Sequence, residues 1–128
     1  MVDIAAIVSD LSFSTKIVGT GRALGIEVQS VTTPEALGDV LAGGGVRLVI
    51  VDMSLPGDIA VLSLQRAAAH RTAPETLAFY SHVQAELVES AKAAGATMTV
   101  PRSKFSAELP KILKNFRPPA ADASGTAS

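Results

Sequence analysis

The chain has 128 residues, a net charge of −1, no cysteine and 48% hydrophobic residues. That length holds one domain with a real core, the missing cysteines exclude disulfides and thiolate metal sites, and the near-neutral charge gives no field that would gather nucleic acid or a membrane surface. Aromatics are scarce and His70 and His82 stand alone, so base-stacking platforms and histidine zinc sites are not expected. Met1-Val2-Asp3-Ile4 lacks the basic region of a signal peptide, and no apolar run approaches the length of a membrane span. A soluble cytoplasmic protein is the expectation.

In chain order, Ile4-Ala5-Ala6-Ile7-Val8 reads as a first strand, closed by Ser9-Asp10. Ser12 to Leu24 spaces Phe13, Ile17 and Leu24 at helical intervals, with Gly19 and Gly21 as weak points and Gly25 as the stop. Ile26 to Val31 alternates apolar and polar, which suits a strand with one wet face near a sheet edge. Thr33-Pro34 starts a second helix as N-cap and first helical residue, and Ala36, Leu37, Val40 and Leu41 form its apolar stripe. Gly43-Gly44-Gly45 ends it.

Leu48-Val49-Ile50-Val51 is a strand apolar on both faces, followed at once by Asp52 and then Leu55-Pro56-Gly57. Asp58 to Ala69 reads as a third helix with Ile59, Leu62 and several alanines inward. Thr76 to Tyr80 is a fourth strand, ending in Ser81-His82. Gln84 to Ala94 is an alanine-rich helix with a thin stripe of Leu87 and Ala91, stopped by Gly95. Ala96 to Val100 is the fifth strand, and Pro101 marks its end. Phe105, Leu109, Ile112 and Phe116 trace a last helix; Pro110 within it suggests a late start with Ser106 as N-cap. Residues 118–128 are Pro, Ala, Ser, Gly and Thr almost throughout and read as a disordered tail after a folded unit of residues 1–117.

Strands alternating with helices call for an α/β fold: a parallel sheet with helices on both faces and right-handed crossovers. In such a sheet the carboxyl ends of all strands share one rim, where sites form. That rim collects Ser9 and Asp10, Asp52 and Ser54, Ser81 and His82, and Arg102 with Ser103 and Lys104. An ionised carboxylate cannot be buried unpaired, so Asp52 belongs at the exposed strand end and is the first candidate for chemistry. Two carboxylates with water suit Mg²⁺; the hydroxyl and the guanidinium suit an anion arriving at Asp52. Asp10 also reads as a helix N-cap, Ser81 as turn chemistry, Arg102 as a structural partner of Asp52 or Asp10, and His82 as a surface loop residue. Gly19-Thr20-Gly21 and Gly25 have the wrong spacing and place for a dinucleotide fingerprint.

These residues resemble the receiver domain of two-component response regulators over about Asp3 to Phe116, most strongly in the strand-Asp-x-x-Leu-Pro-Gly stretch from Val49 to Gly57. Val8-Ser9-Asp10 matches the acidic pair after the first strand, Ser81 the hydroxyl residue after the fourth, and Ala94-Gly95-Ala96 the approach to the fifth. The resemblance implies a flavodoxin-like, three-layer (βα)₅ fold with strand order 2-1-3-4-5 and a signalling switch rather than an enzyme. It implies Asp52 as phosphoacceptor from a histidine kinase or phosphotransfer protein. It implies Mg²⁺ held by Asp10, Asp52 and the backbone carbonyl of Ser54, with Ser81 and Arg102 receiving the phosphoryl oxygens and Thr99 at the switch position of the fifth strand. Output would come by docking to a downstream protein or a second copy of the chain.

The departures are specific. Ser9 stands where the family has an acid, which weakens the metal pocket. Arg102 replaces lysine and can grip a carboxylate in place of a metal. Arg102-Ser103 replaces Lys-Pro, Thr99 replaces the aromatic, and Ala60 lies near the usual glycine. Two readings follow: a phosphorylated receiver, or a degenerate receiver acting as a phosphorylation-independent interaction module. A small-molecule binder on the same scaffold has no phosphate loop, nucleophile elbow or cobalamin motif to support it.

Overall fold

A computed structural model describes residues 1–81 and 85–116. Among the described residues five strands alternate with helices, the last strand being followed by two: β1 (Ile4–Ile7), α1 (Leu11–Ala23), β2 (Val28–Val31), α2 (Pro34–Ala42), β3 (Leu48–Asp52), α3 (Ile59–Ala69), β4 (Glu75–Tyr80), α4 (Ala85–Ala93), β5 (Met98–Pro101), α5 (Arg102–Ala107) and α6 (Leu109–Lys114). The strands form one parallel sheet in the order 2-1-3-4-5, as the alternation and the resemblance imply. His82, Gln84 and the tail expected from residue 118 lie outside the described residues.

Alternation along each strand divides the core. Ile4, Ala6, Leu48, Ile50, Leu77 and Phe79 face α1, α5 and α6; Ala5, Ile7, Val49, Val51 and Ala78 face α2, α3 and α4. The central β3 is buried along its whole length, Asp52 included, while β2 at one edge shows two exposed residues. Burial on both faces explains why β1 and β3 are unbroken apolar runs. Thr33 caps α2 through its side-chain oxygen, with Pro34 at the first helical position. Gly21 has a packing reason: α1 comes so close to β2 there that an added Cβ would lie 2.5 Å from Val28 Cγ2.

Two sequence expectations are corrected. Leu62 is not inward; it is 49% exposed, and the buried face of α3 is Ala60, Ser63, Leu64 and Ala67. The last helix does not start late at Ser106. It begins at Arg102, breaks at Glu108 and restarts at Leu109 with Pro110 in its first turn. Pro110 lacks an N–H, so it fits a first turn and not a helix interior; the chain keeps the full apolar face by splitting one helix into two.

Candidate functional site at the carboxyl rim

Asp52 is the last residue of β3, in register with Phe79 of β4. Val51 pairs with Ile7 of β1, so the chain leaving β1 passes beside the Asp52 side chain. The Ser9 N–H donates to Asp52 Oδ2 at 3.1 Å and the Ser9 hydroxyl to the same oxygen at 2.8 Å. From the other side the Ser54 N–H donates to Oδ1 at 2.9 Å and the Ser54 hydroxyl at 2.6 Å. The Asp52 to Ser54 backbone contact is the local turn that Asp favours two residues before an N–H. The strand end is as expected, but the exposure is not: Asp52 is 1% exposed, and burial is tolerated because the carboxylate is fully hydrogen-bonded and not unpaired. A carboxylate offers about four lone-pair sites, and here four donors fill them. The two hydroxyl oxygens lie 3.3 Å apart, but each carries one proton and that proton is committed to Asp52.

Asp10 sits beside this cage with different partners. Its Oδ1 accepts from the Phe13 N–H at 3.2 Å, which makes it the N-cap of α1. Its Oδ2 receives Arg102 Nη2 at 2.7 Å. Arg102 is the first residue of α5, delivered to the rim by Pro101 at the end of β5. Its guanidinium carbon also lies 4.4 Å from the centroid of Phe13. Of the two partners that the sequence left open for Arg102, it takes Asp10; the cage around Asp52 is built of serines.

The bond from Arg102, helped by the Phe13 N–H and opposed by burial, holds the Asp10 carboxyl below its ordinary range. A carboxylate whose folded value is lowered adds stability above its unfolded value and loses it as pH falls through the folded value. Asp10→Asn keeps a capping oxygen but cannot titrate. Its stability is therefore expected to depend less on pH than the wild type's on the acid side of the unfolded carboxylate range, as urea unfolding across that range would show.

Ser81 is exposed directly after β4, on the same rim, but the Asp52 donors are Ser9 and Ser54. Thr99 is half-buried in β5, paired with Ala78, and Ala60 is buried in α3. Two functional features were not anticipated. Ser9 enters as a double donor, where the sequence showed only a lost acid. Phe13 is the ring under Arg102; its signal was the Asp-x-x-Phe spacing, which puts the cap and the ring on one helical turn.

Mg²⁺ needs oxygen ligands with free lone pairs and gives up water reluctantly. The two carboxylates as they are partnered here do not fit it. Both Asp52 oxygens are filled by N–H and O–H donors, and both Asp10 oxygens are engaged by a backbone N–H and a guanidinium. Among the described residues no group of three or more acidic, histidine or cysteine side chains is placed to hold a metal.

No family model matches the sequence, and no curated protein matches it. Solved structures do. The chemotaxis protein CheY4 of Vibrio cholerae is similar with a TM-score of 0.75 at 18% identity, covering 91% of this chain and 98% of that one. The chain has the receiver fold of response regulators. The BeF3-activated receiver domain of DrrB is similar over 91% of this chain and 97% of its own, with a TM-score of 0.70 at 20% identity. The receiver domain of NtrX from Brucella abortus is similar over 88% and 95%, with a TM-score of 0.74 at 17% identity. At such identities the shared property is the receiver fold itself. No helix among the described residues is long and apolar enough to cross a membrane.

Proposed function

We propose that this receiver-fold chain is a signalling module, not an enzyme, that acts in the cytoplasm by docking on a protein partner without being phosphorylated. Asp52 then serves to hold the rim together. The observation that carries this reading is the saturated carboxylate: an oxygen that must attack phosphorus needs a free lone pair, and four donors from Ser9 and Ser54 occupy those of Asp52. The partner is a protein, since net charge near zero favours neither nucleic acid nor a membrane surface; a second copy of the chain is one form it can take.

One observation favours a second reading, in which Asp52 accepts a phosphoryl group from a histidine kinase or phosphotransfer protein. Two of its four donors are hydroxyls, which rotate, and Ser54 is exposed. In that case a carboxylate oxygen bonds to phosphorus as the donor's bond to phosphorus breaks, and the two hydroxyls turn away. Intact mass after incubation with acetyl phosphate and Mg²⁺, beside a phosphorylatable receiver as positive control, separates the two. The docking reading expects no phosphoryl adduct. An adduct on the wild type that Asp52→Asn abolishes overturns it in favour of phosphoryl acceptance.

A further inference from the structure

We infer that the Arg102 guanidinium is a built-in cation at this rim, occupying Asp10 so that a divalent metal cannot, and that the chain is a metal-independent receiver for this reason. The inference deepens the docking reading and can fail separately from it: a wild type that takes up Mg²⁺ but gains no phosphoryl adduct overturns the cation and leaves the docking reading standing.

Arg102 is fixed in more than one way. The carboxylate of Asp10 holds one edge of the guanidinium at 2.7 Å, and the face of Phe13 lies 4.4 Å from its carbon. A guanidinium is planar and can satisfy a carboxylate and a ring at once, which a lysine ammonium on a flexible stem does less well. The ring beneath it is immobilised in turn: Phe13 meets Phe79 at 5.3 Å and Phe105 at 5.8 Å, both edge to face. A second polar tie, Lys16 to the Ser106 hydroxyl at 2.7 Å, joins the same two helices, α1 and α5. The cation therefore rests on a packed aromatic platform shared by α1, β4 and α5.

Its effect on a metal follows from charge and ligand count. A divalent ion at Asp10 would have to displace Arg102 or sit against it, with like charges in a half-buried pocket. Ser9 compounds this, because it supplies protons to Asp52 and not an anionic oxygen to a metal. Both obstacles must be lifted to create a site. Restoring the acid with Ser9→Asp is not enough while Arg102 remains.

The test is a Mg²⁺ titration of four proteins followed by amide ¹H–¹⁵N shifts: wild type, Ser9→Asp, Arg102→Gln, and Ser9→Asp with Arg102→Gln. The wild type and Ser9→Asp are expected to show no saturable shift at millimolar Mg²⁺. The double variant is expected to show saturable shifts centred on Asp10, with a Kd roughly tenfold or more below the lower limit that the Ser9→Asp titration sets. Spectral dispersion reports folding in each sample; Arg102→Met, which keeps the apolar stem over Phe13, replaces the glutamine variant if that one is unfolded. Saturable binding by the wild type, binding by Ser9→Asp as tight as by the double variant, or a double variant as silent as Ser9→Asp each overturns the inference.

Discussion

Replacing Asp52 by alanine lowers the stability of the fold by about 3 kcal/mol. The side chain is 1% exposed and accepts four hydrogen bonds. When it is removed, the hydroxyls of Ser9 and Ser54 can turn to water, but the backbone N–H groups of the same residues point inward from the loops after β1 and β3. Each orphaned donor costs about 1–3 kcal/mol according to how much water reaches it. Asp52→Asn keeps one acceptor but turns the other into a donor facing an N–H and an O–H, so it too is destabilising, by about 1–3 kcal/mol. Ser54→Ala loses one hydroxyl bond but keeps the N–H, and costs about 1 kcal/mol. Urea unfolding measures all three. The sign is informative: in a pocket of crowded acids, removing one carboxylate relieves repulsion and stabilises the fold. Here the neighbours are donors, and Asp10 is neutralised by Arg102. A stabilised Asp52→Ala would mean that the cage is not what holds the rim.

Phe79→Ala is expected to cost about 4 kcal/mol, a large share of the roughly 5–15 kcal/mol by which domains are stable. Phe79 is fully buried in β4 and links the two other rings of the cluster, edge to face with Phe13 at 5.3 Å and stacked on Phe105 at 5.3 Å. Its loss leaves a cavity that two helices and a sheet cannot both move to fill, because β4 is hydrogen-bonded on either side by β3 and β5. The denaturant midpoint should fall with an unchanged slope. The same variant should also loosen the platform under Arg102, so the Arg102 side-chain ¹⁵Nε resonance should move through the Phe13 ring that Phe79 supports.

Much of this architecture was legible in the residues. The apolar run of Leu48 to Val51, three of its four residues β-branched, reads as a strand buried on both faces, and the carboxylate after it lies at the strand end, although buried there and not exposed. Thr33-Pro34 announced a helix start, and the alternation of strands and helices gave a parallel sheet. What could not be read depends on which surfaces meet. Leu62 fits the helical period of α3 as well as Leu64 does, and only the approach of the sheet decides that Leu64 is inward. The break at Glu108 reflects Pro110 and the separate demands of Phe105 and Leu109. Arg102 had two acids within the pattern's reach, and the choice of Asp10 turns on a phenylalanine three residues further along α1. Ser9 was visible as an absence of charge, whereas its hydrogen-bonding role needed the geometry of Asp52.

The split between α5 and α6 has a consequence for how the C-terminal segment covers the sheet. Phe105 in α5 is anchored against Phe79 of the sheet, and Leu109 and Leu113 in α6 are buried in the same core beside α1. At Glu108 the backbone bends, with φ of −107° and ψ of 15°, yet the Glu108 N–H still donates to the Lys104 carbonyl at 3.0 Å and the Ile112 N–H to the Glu108 carbonyl at 2.9 Å. The bend therefore redirects the chain without breaking its hydrogen bonding, so that two short rods can each aim an apolar face at a curved sheet that one straight rod would touch only in part.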